Sequence, residues 1–165
     1  YTSKPIVLFP GDYTQITNEA NALLFLSLLS GQNPEYLINQ QIKAVPLLNK
    51  STLEIIPTGY ILIDGGTKSS VIKVSNTSPI AQNNIQQAVA TAVAGQYKGK
   101  KLIYLEAGSG AKIPVNSELI KEVKSQLQIP LIVGGGIKTK KQLEKTYNCG
   151  ADLVVIGTAF ENNLL

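Results

Sequence analysis

Two glycine-rich stretches near the carboxyl end decide the fold: Leu-Ile-Val-Gly-Gly-Gly-Ile at 131–137 and Asp-Leu-Val-Val-Ile-Gly-Thr-Ala-Phe at 152–160. Each begins as a short apolar run that changes abruptly to glycine, and a helix-like segment separates them. The pattern predicts two consecutive parallel strands whose carboxyl ends approach a ligand through bare backbone. In (β/α)8 barrels the last two such turns form a phosphate site. The two stretches therefore predict binding of a phosphate ester.

Earlier apolar runs predict four more strands. They are continuous rather than alternating, as in strands buried on both faces. These runs lie at 6–9, 22–26, 53–57 continuing into 58–64, and 101–106. Four segments between the strands carry helix signals. A capping residue and a proline at 33–35 predict the start of the first helix, and a capping-box pattern at 139–142 followed by Gly150 predicts both ends of the last. Between them, apolar residues recur at helical spacing at Ile85, Val89, Val93 and Tyr97, and again from Leu119 to Leu127.

The count of about six strands and at least four helices predicts an α/β chain. A closed barrel needs eight strands and about 250 residues, whereas this chain has 165. We therefore expect residues 1–165 to be a single phosphate-binding domain with about the last six βα units of a TIM (β/α)8 barrel, two N-terminal units lying outside it. The alternative is an open doubly wound sheet, in which the glycine fingerprint usually follows the first strand.

Composition excludes several classes of chemistry. The chain has no histidine and one cysteine, Cys149, so histidine bases, zinc sites and intrachain disulfides are not expected. We expect Cys149 to be a buried structural thiol and the protein to be cytoplasmic. The net charge of +4 comes from scattered lysines, without the basic and aromatic patch of a nucleic-acid binder. The apolar run at 22–29 is too short to be a transmembrane segment.

The strand at 101–106 is the best candidate to carry chemistry. Tyr104 and Glu106 lie two residues apart and so face the same side of the strand. Glu106 ends the strand, where barrel enzymes place catalytic groups. A structural salt bridge is the alternative to a catalytic base whose pKa is raised by desolvation. The Gly108-Ser109-Gly110 turn that follows favours anion binding, and with no arginine in the chain a phosphate would be held by backbone amides, Ser109 and Thr158.

Two further residues keep open interpretations. Asp64 ends a strand before Gly65-Gly66. It is equally consistent with approaching a metal-bound diphosphate and with capping its loop. Tyr60 is equally consistent with lining an apolar channel, together with Ile61, and with being a core tyrosine.

These motifs resemble the geranylgeranylglyceryl phosphate synthase family, including its bacterial polyprenylglyceryl phosphate synthases. The resemblance runs in uninterrupted order from Lys4 to about Glu161. The matching stretches are 9–11, 24–29, 56–66, 104–111, 133–137 and 157–159, of which Tyr-Leu-Glu-Ala-Gly-Ser-Gly at 104–110 is the most specific.

The resemblance implies a TIM-barrel prenyltransferase. It would join an all-trans polyprenyl diphosphate to the 3-hydroxyl of sn-glycerol 1-phosphate with Mg2+, forming an ether lipid precursor. Glu106 would be the base, with Tyr104 beside it and Tyr60 in the prenyl groove. The glycerol phosphate site would comprise Tyr104, Leu105, Glu106, Ala107, Gly108, Ser109, Gly110, Gly135, Gly136, Gly157 and Thr158. The family's metal-binding aspartate belongs to strands that precede residue 1, so no metal ligand is assigned within the chain. The resemblance also implies a homo-oligomer.

Two rival interpretations share most of these features. Another phosphate-binding barrel enzyme would have the same terminal glycine turns, but it would usually need a lysine or a second acid at a strand end. A non-catalytic truncated barrel would share everything except the metal.

Overall fold

The computed structural model describes residues 3–67 and 70–161. This part of the chain forms one parallel sheet of six strands, which confirms the predicted number. The strands are β1 Val7–Leu8, β2 Ala22–Leu28, β3 Glu54–Leu62, β4 Leu102–Glu106, β5 Leu131–Gly134 and β6 Leu153–Val155.

The strand order in the sheet is the order along the chain. Each strand pairs in parallel with the next, without the reversal that defines the switch point of a doubly wound sheet. This winding is that of a TIM barrel and excludes the alternative. The connecting elements are a π-helical turn at Glu35–Asn39 followed by α1 Gln40–Leu48, then α2 Ser70–Ser75, α3 Ile85–Tyr97, α4 Ser117–Gln126, α5 Lys140–Asn148 and α6 Thr158–Glu161.

Side chains alternate between the two faces of the sheet, as the geometry of a strand requires. The inner face buries a cluster formed by Leu24, Leu28, Tyr60, Leu62, Leu102, Tyr104 and Ile132. The outer face packs beneath the helices. Ile61 is fully buried in that outer cluster. The expectation that it lines a channel with Tyr60 is therefore wrong, because neighbouring residues on a strand point to opposite faces.

Helix α3 spans the predicted segment, and its apolar stripe is only part of its buried face: Ile85 and Val89 are partly buried against the outer cluster. Ala88, Ala92 and Gly95 are the buried residues, whereas Tyr97 is 83% exposed. A Cβ on Gly95 would lie 2.6 Å from Leu29 Cδ1. The small residues Ala88, Ala92 and Gly95 thus let the helix lie close to the sheet. The face that carries them is buried because it allows this close approach.

The predicted helix boundaries are confirmed by their hydrogen bonds. Asn33 Oδ1 accepts from the Glu35 amide at 3.0 Å, although the helix then begins with the π-helical turn. Thr139 and Gln142 form a complete capping box at α5. Cys149 is buried at the end of α5, and Gly150 follows with a φ of +106°. None of the helices in the described ranges is long and apolar enough to cross a membrane.

Candidate functional site

Tyr104 and Glu106 lie side by side at the carboxyl end of β4, as their spacing predicts. A Cβ on Gly134, in the neighbouring strand β5, would lie 2.5 Å from Tyr104 Oη and 3.0 Å from Glu106 Oε2. Glycine at the end of β5 therefore leaves the space that both polar groups occupy.

Glu106 is a buried carboxylate, with 7% of its surface exposed. Burial raises its pKa above the ordinary value, and the nearby Tyr104 hydroxyl and the Gly108 amide partly oppose that rise. Glu106 Oε1 accepts a hydrogen bond from the Gly108 amide at 2.6 Å. Glu106 forms no salt bridge with a described residue. The salt bridge that the sequence left open as the alternative is therefore not found among the described residues.

The Tyr104 hydroxyl is buried without a hydrogen-bond partner in the described part of the chain. It lies next to the Glu106 carboxylate, and each of the two groups shifts the pKa of the other. Burial, and then the negative charge of Glu106, raise the Tyr104 pKa far above its ordinary value. A buried polar group without a partner is costly, so this neutral hydroxyl is available to a ligand.

An aromatic cluster forms the wall next to these groups. The Tyr60 and Tyr104 rings meet edge to face with centroids 5.2 Å apart, and the Phe9 ring lies 5.3 Å from Tyr104. Tyr60 is buried, and its pKa is raised by desolvation and by Glu106. Both interpretations of Tyr60 hold in part, since it belongs to the inner core and also borders two cavities.

Glycines shape the turns after β4 and β5. Gly135 has a φ of +86°, and a Cβ there would lie 2.5 Å from Glu106 Oε1. Gly136 has a φ of +72°, and its Cβ would lie 2.9 Å from the Ile113 backbone. Only glycine combines such a φ with such close approach. The loops after β4 and β5 therefore pack closely against each other around the Glu106 carboxylate.

Backbone amides in these turns are available to an anion. Within the described ranges, the amides of Gly136, Ile137 and Thr158 donate no hydrogen bond. The residues around them line a cavity of about 290 Å³, just below the range of roughly 300–1,000 Å³ for ligand pockets. The predicted site residues that line it are Tyr60, Tyr104, Glu106, Gly108, Ser109, Gly110, Gly135, Gly136, Gly157 and Thr158.

Leu105 and Ala107, also named from the sequence, belong to the outer cluster instead and do not line this cavity. Conversely, Phe9, Val71 and Lys138 line the cavity but were not assigned to the site. Phe9 directly follows β1 and Lys138 follows a glycine turn, so their positions just after strand ends were the available signal. Val71 lies on α2, a helix that no residue pattern predicted.

An apolar cavity adjoins the polar one. Phe9, Tyr60 and Val71 line both. The remaining walls come from the loop after β1, from β2, and from the π-helical turn, α1 and α2. They are mostly apolar and include Leu24, Leu26, Leu28, Ala44 and Val74, although the polar side chains of Asp12, Gln40 and Gln41 also line the cavity. The two cavities thus place a polar compartment and an apolar compartment on either side of one aromatic wall.

Asp64 takes the loop-capping role of its two interpretations. Its Oδ1 accepts a hydrogen bond from the Gly66 amide at 2.9 Å, and it borders a different cavity from Glu106. Across residues 3–67 and 70–161, no group of three or more histidine, cysteine, aspartate or glutamate side chains is placed to hold a metal ion. No Mg2+ ligand is therefore assigned among the described residues.

The sequential parallel strands, with a glycine-lined cavity at their carboxyl ends, define a TIM-barrel protein. The chain belongs to the PcrB family, which it matches over residues 1–164.

Similar proteins carry a common name. The chain is 62% identical to a geranylgeranylglyceryl phosphate synthase of Zunongwangia profunda, covering 98% of this chain and 69% of that protein. It is 43% identical to one of Pyrococcus horikoshii, covering 97% and 62%. A solved (S)-3-O-geranylgeranylglyceryl phosphate synthase of Thermoplasma acidophilum, in complex with sn-glycerol-1-phosphate, superposes with a TM-score of 0.91 at 37% identity, covering 97% of this chain and 64% of that one. The chain thus spans about two thirds of the length of these relatives.

Proposed function

We propose that this protein is a prenyltransferase that joins an all-trans polyprenyl diphosphate to the 3-hydroxyl of sn-glycerol 1-phosphate. The observation that carries the proposal is the pair of adjoining cavities, one polar with a buried carboxylate and one apolar. The names of its relatives, and the glycerol phosphate bound in one of them, support the same reaction. Residues 1–165 act in this proposal as one phosphate-binding barrel domain.

The polar cavity would hold the acceptor. The unbonded amides of Gly136, Ile137 and Thr158 suit the phosphate, since backbone N–H groups bind anions without a side-chain charge. With the phosphate there, the glycerol hydroxyl extends toward Glu106 and the free Tyr104 hydroxyl. Glu106 then takes the proton of the 3-hydroxyl as the oxygen bonds to the first carbon of the prenyl chain. The bond from that carbon to the diphosphate breaks, and the diphosphate leaves with the bonding electrons.

The apolar cavity would hold the prenyl chain of the donor. Its aliphatic lining removes the chain from water, which contributes about 0.8 kcal/mol for each buried CH2 group. Phe9, Tyr60 and Val71 lie between the cavities, so the reacting carbon would lie beside this wall. The reacting groups of the donor and the acceptor would meet beside these residues, while the prenyl chain lies in the apolar cavity and the phosphate in the polar one.

Three finer statements belong to the same proposal. Mg2+ is the divalent ion that we propose for the diphosphate, and we assign it no ligand among the described residues. The protein is cytoplasmic. It forms a homo-oligomer.

The test of the proposal is a transfer assay. Radiolabelled sn-glycerol 1-phosphate is incubated with the protein, geranylgeranyl or a longer polyprenyl diphosphate, and Mg2+, and the organic phase is counted. We expect label in an acid-stable ether lipid only when both substrates are present. Turnover of other phosphate esters with no transfer would support the rival barrel enzyme, and binding of sn-glycerol 1-phosphate without turnover would support the non-catalytic domain.

Tyr104→Phe separates a ligand-binding hydroxyl from a structural one. Because Tyr104 Oη has no partner in the described chain, its removal leaves no protein group unpaired, and the melting temperature should stay equal or rise. The affinity for sn-glycerol 1-phosphate should fall roughly five- to tenfold, the usual effect of one hydrogen bond. Calorimetry and thermal unfolding measure the two quantities. A lower melting temperature with unchanged affinity would show that the hydroxyl supports the fold.

Val74→Glu tests the apolar cavity. Val74 lies on α2, borders only the apolar one of the two adjoining cavities and is 62% exposed, so the fold tolerates a change there. A carboxylate opposes entry of an apolar chain, and we expect polyprenyl diphosphate to bind about tenfold more weakly. Val74→Leu is the matched control and should bind normally. Equal weakening of sn-glycerol 1-phosphate binding would contradict a separate prenyl compartment.

A further inference from the structure

Lys138 is the one positively charged residue among the described residues that line the polar cavity. It follows the Gly135-Gly136 turn and directly precedes the cap of α5. Its side chain is exposed, and its ammonium group forms no salt bridge or hydrogen bond within residues 3–67 and 70–161. The cavity therefore has at its edge a positive charge that no described residue neutralises.

The backbone around Lys138 is already occupied. The amides of Lys138 and Thr139 both donate to Gln142 Oε1, at 2.8 and 3.1 Å, and the Gln142 amide donates to Thr139 Oγ1 at 3.2 Å. This capping box occupies the amides of Lys138 and Thr139, which lie closest to the glycine turn. The Lys138 side chain is the charged group that this segment adds to the cavity lining.

A positive charge at Lys138 would reduce the electrostatic repulsion between the negative groups in the cavity. Glu106 is the one acidic residue among the described lining residues, and a phosphate monoester carries about −1.5 to −2 charges at pH 7. When the carboxylate is ionised, as a base must be, two negative groups share a small cavity. Backbone amides supply partial charges, and the chain has no arginine. A full positive charge at Lys138 offsets the repulsion.

We propose that Lys138 Nζ binds the phosphate of the acceptor and gives the site its preference for phosphate monoesters. This inference rests on the proposed function, because that function names the acceptor. The role is one of substrate binding: Lys138 contacts the phosphate and takes no part in proton transfer.

The test is calorimetry with two probes, inorganic phosphate and sn-glycerol 1-phosphate, at low and at high salt. The variants are Lys138→Gln, Lys138→Arg and Lys141→Gln. Lys141 is the matched control, since it is an exposed lysine of α5 that does not line the cavity. We expect Lys138→Gln to weaken both probes about tenfold or more, the scale of a charge-assisted hydrogen bond. It should also flatten the salt dependence, while Lys138→Arg and Lys141→Gln bind nearly as the wild type does.

Each outcome decides the inference. Unchanged affinity and salt dependence in Lys138→Gln would overturn it while leaving the proposed function intact. Wild-type protein that binds inorganic phosphate in a Lys138-dependent way, but not sn-glycerol 1-phosphate, would confirm the anion site and overturn the proposed acceptor. Binding of neither probe by the wild type would overturn both. A loss in Lys138→Gln that Lys138→Arg does not restore would show that the positive charge is not the cause.

Discussion

Gly135→Val is expected to weaken sn-glycerol 1-phosphate binding by about 100-fold or more, which calorimetry would record as a loss of measurable heat. The first reason is conformational, because valine is strongly disfavoured at a φ of +86°. The second is steric. The new Cβ would lie 2.5 Å from Glu106 Oε1 and 2.6 Å from the Gly108 amide nitrogen. Because these two atoms are hydrogen-bonded to each other, the substitution displaces the carboxylate and opens the loop after β4.

Two other glycines separate the causes. Gly99 has a φ of +81° with no heavy atom within 4 Å of a Cβ, so Gly99→Val imposes comparable backbone strain far from the cavity and should leave binding intact. Gly157 borders the cavity, and nothing lies within 4 Å of its Cβ. Gly157→Val should therefore block the ligand without disturbing Glu106. Normal binding by both Gly135→Val and Gly157→Val would show that the phosphate lies elsewhere.

Glu106→Gln is expected to slow prenyl transfer by about 10²-fold or more, the usual contribution of a positioned acid–base group. Glutamine keeps the shape of the side chain and can still accept from the Gly108 amide, but it cannot take the proton of the glycerol hydroxyl. Binding of the polyprenyl diphosphate should be largely preserved, because Glu106 does not border the apolar cavity. Steady-state kinetics measures the effect. The control is Glu118→Gln, which changes an exposed glutamate at the start of α4.

Glu106 should give the activity and the stability of the wild-type protein opposite dependences on pH. The raised pKa of Glu106 means that the folded protein holds this proton more tightly than the unfolded chain does. Its contribution to stability is complete at acidic pH and is lost as the pH rises from the ordinary pKa through the raised one. Transfer activity rises over the same interval, because the base must be ionised. Glu106→Gln should remove both trends.

Turnover of Glu106→Gln within about threefold of wild type would contradict the role of Glu106 as the base and would show that another group activates the hydroxyl.

The sequence was sufficient to predict what depends on local chemistry. The glycine turns at 135–136 and 157, the capping box of α5 and the burial of Glu106 each follow from a few neighbouring residues. They appear in the structure where they were expected, because no distant contact competes with them. The order of the strands was predictable in the same way, since each βα unit packs against the preceding one.

What the sequence could not show depends on contacts between distant elements. The buried face of α3 is set by Gly95 against Leu29, which no periodicity within the helix reveals. The free state of Tyr104 Oη depends on the space that Gly134 leaves. The position of Lys138 in the cavity depends on the glycine turn before it and on the side chain of Gln142. Each needs the relative placement of two segments, which a residue pattern does not contain.

The central claim is that the cavity at the ends of β4, β5 and β6 binds sn-glycerol 1-phosphate. A crystal structure of the protein soaked with this compound tests it most directly. We expect the phosphate to lie against the amides of Gly136, Ile137 and Thr158, with the 3-hydroxyl within hydrogen-bond distance of Glu106. A phosphate bound outside this cavity, or a glycerol hydroxyl directed away from Glu106, would contradict it.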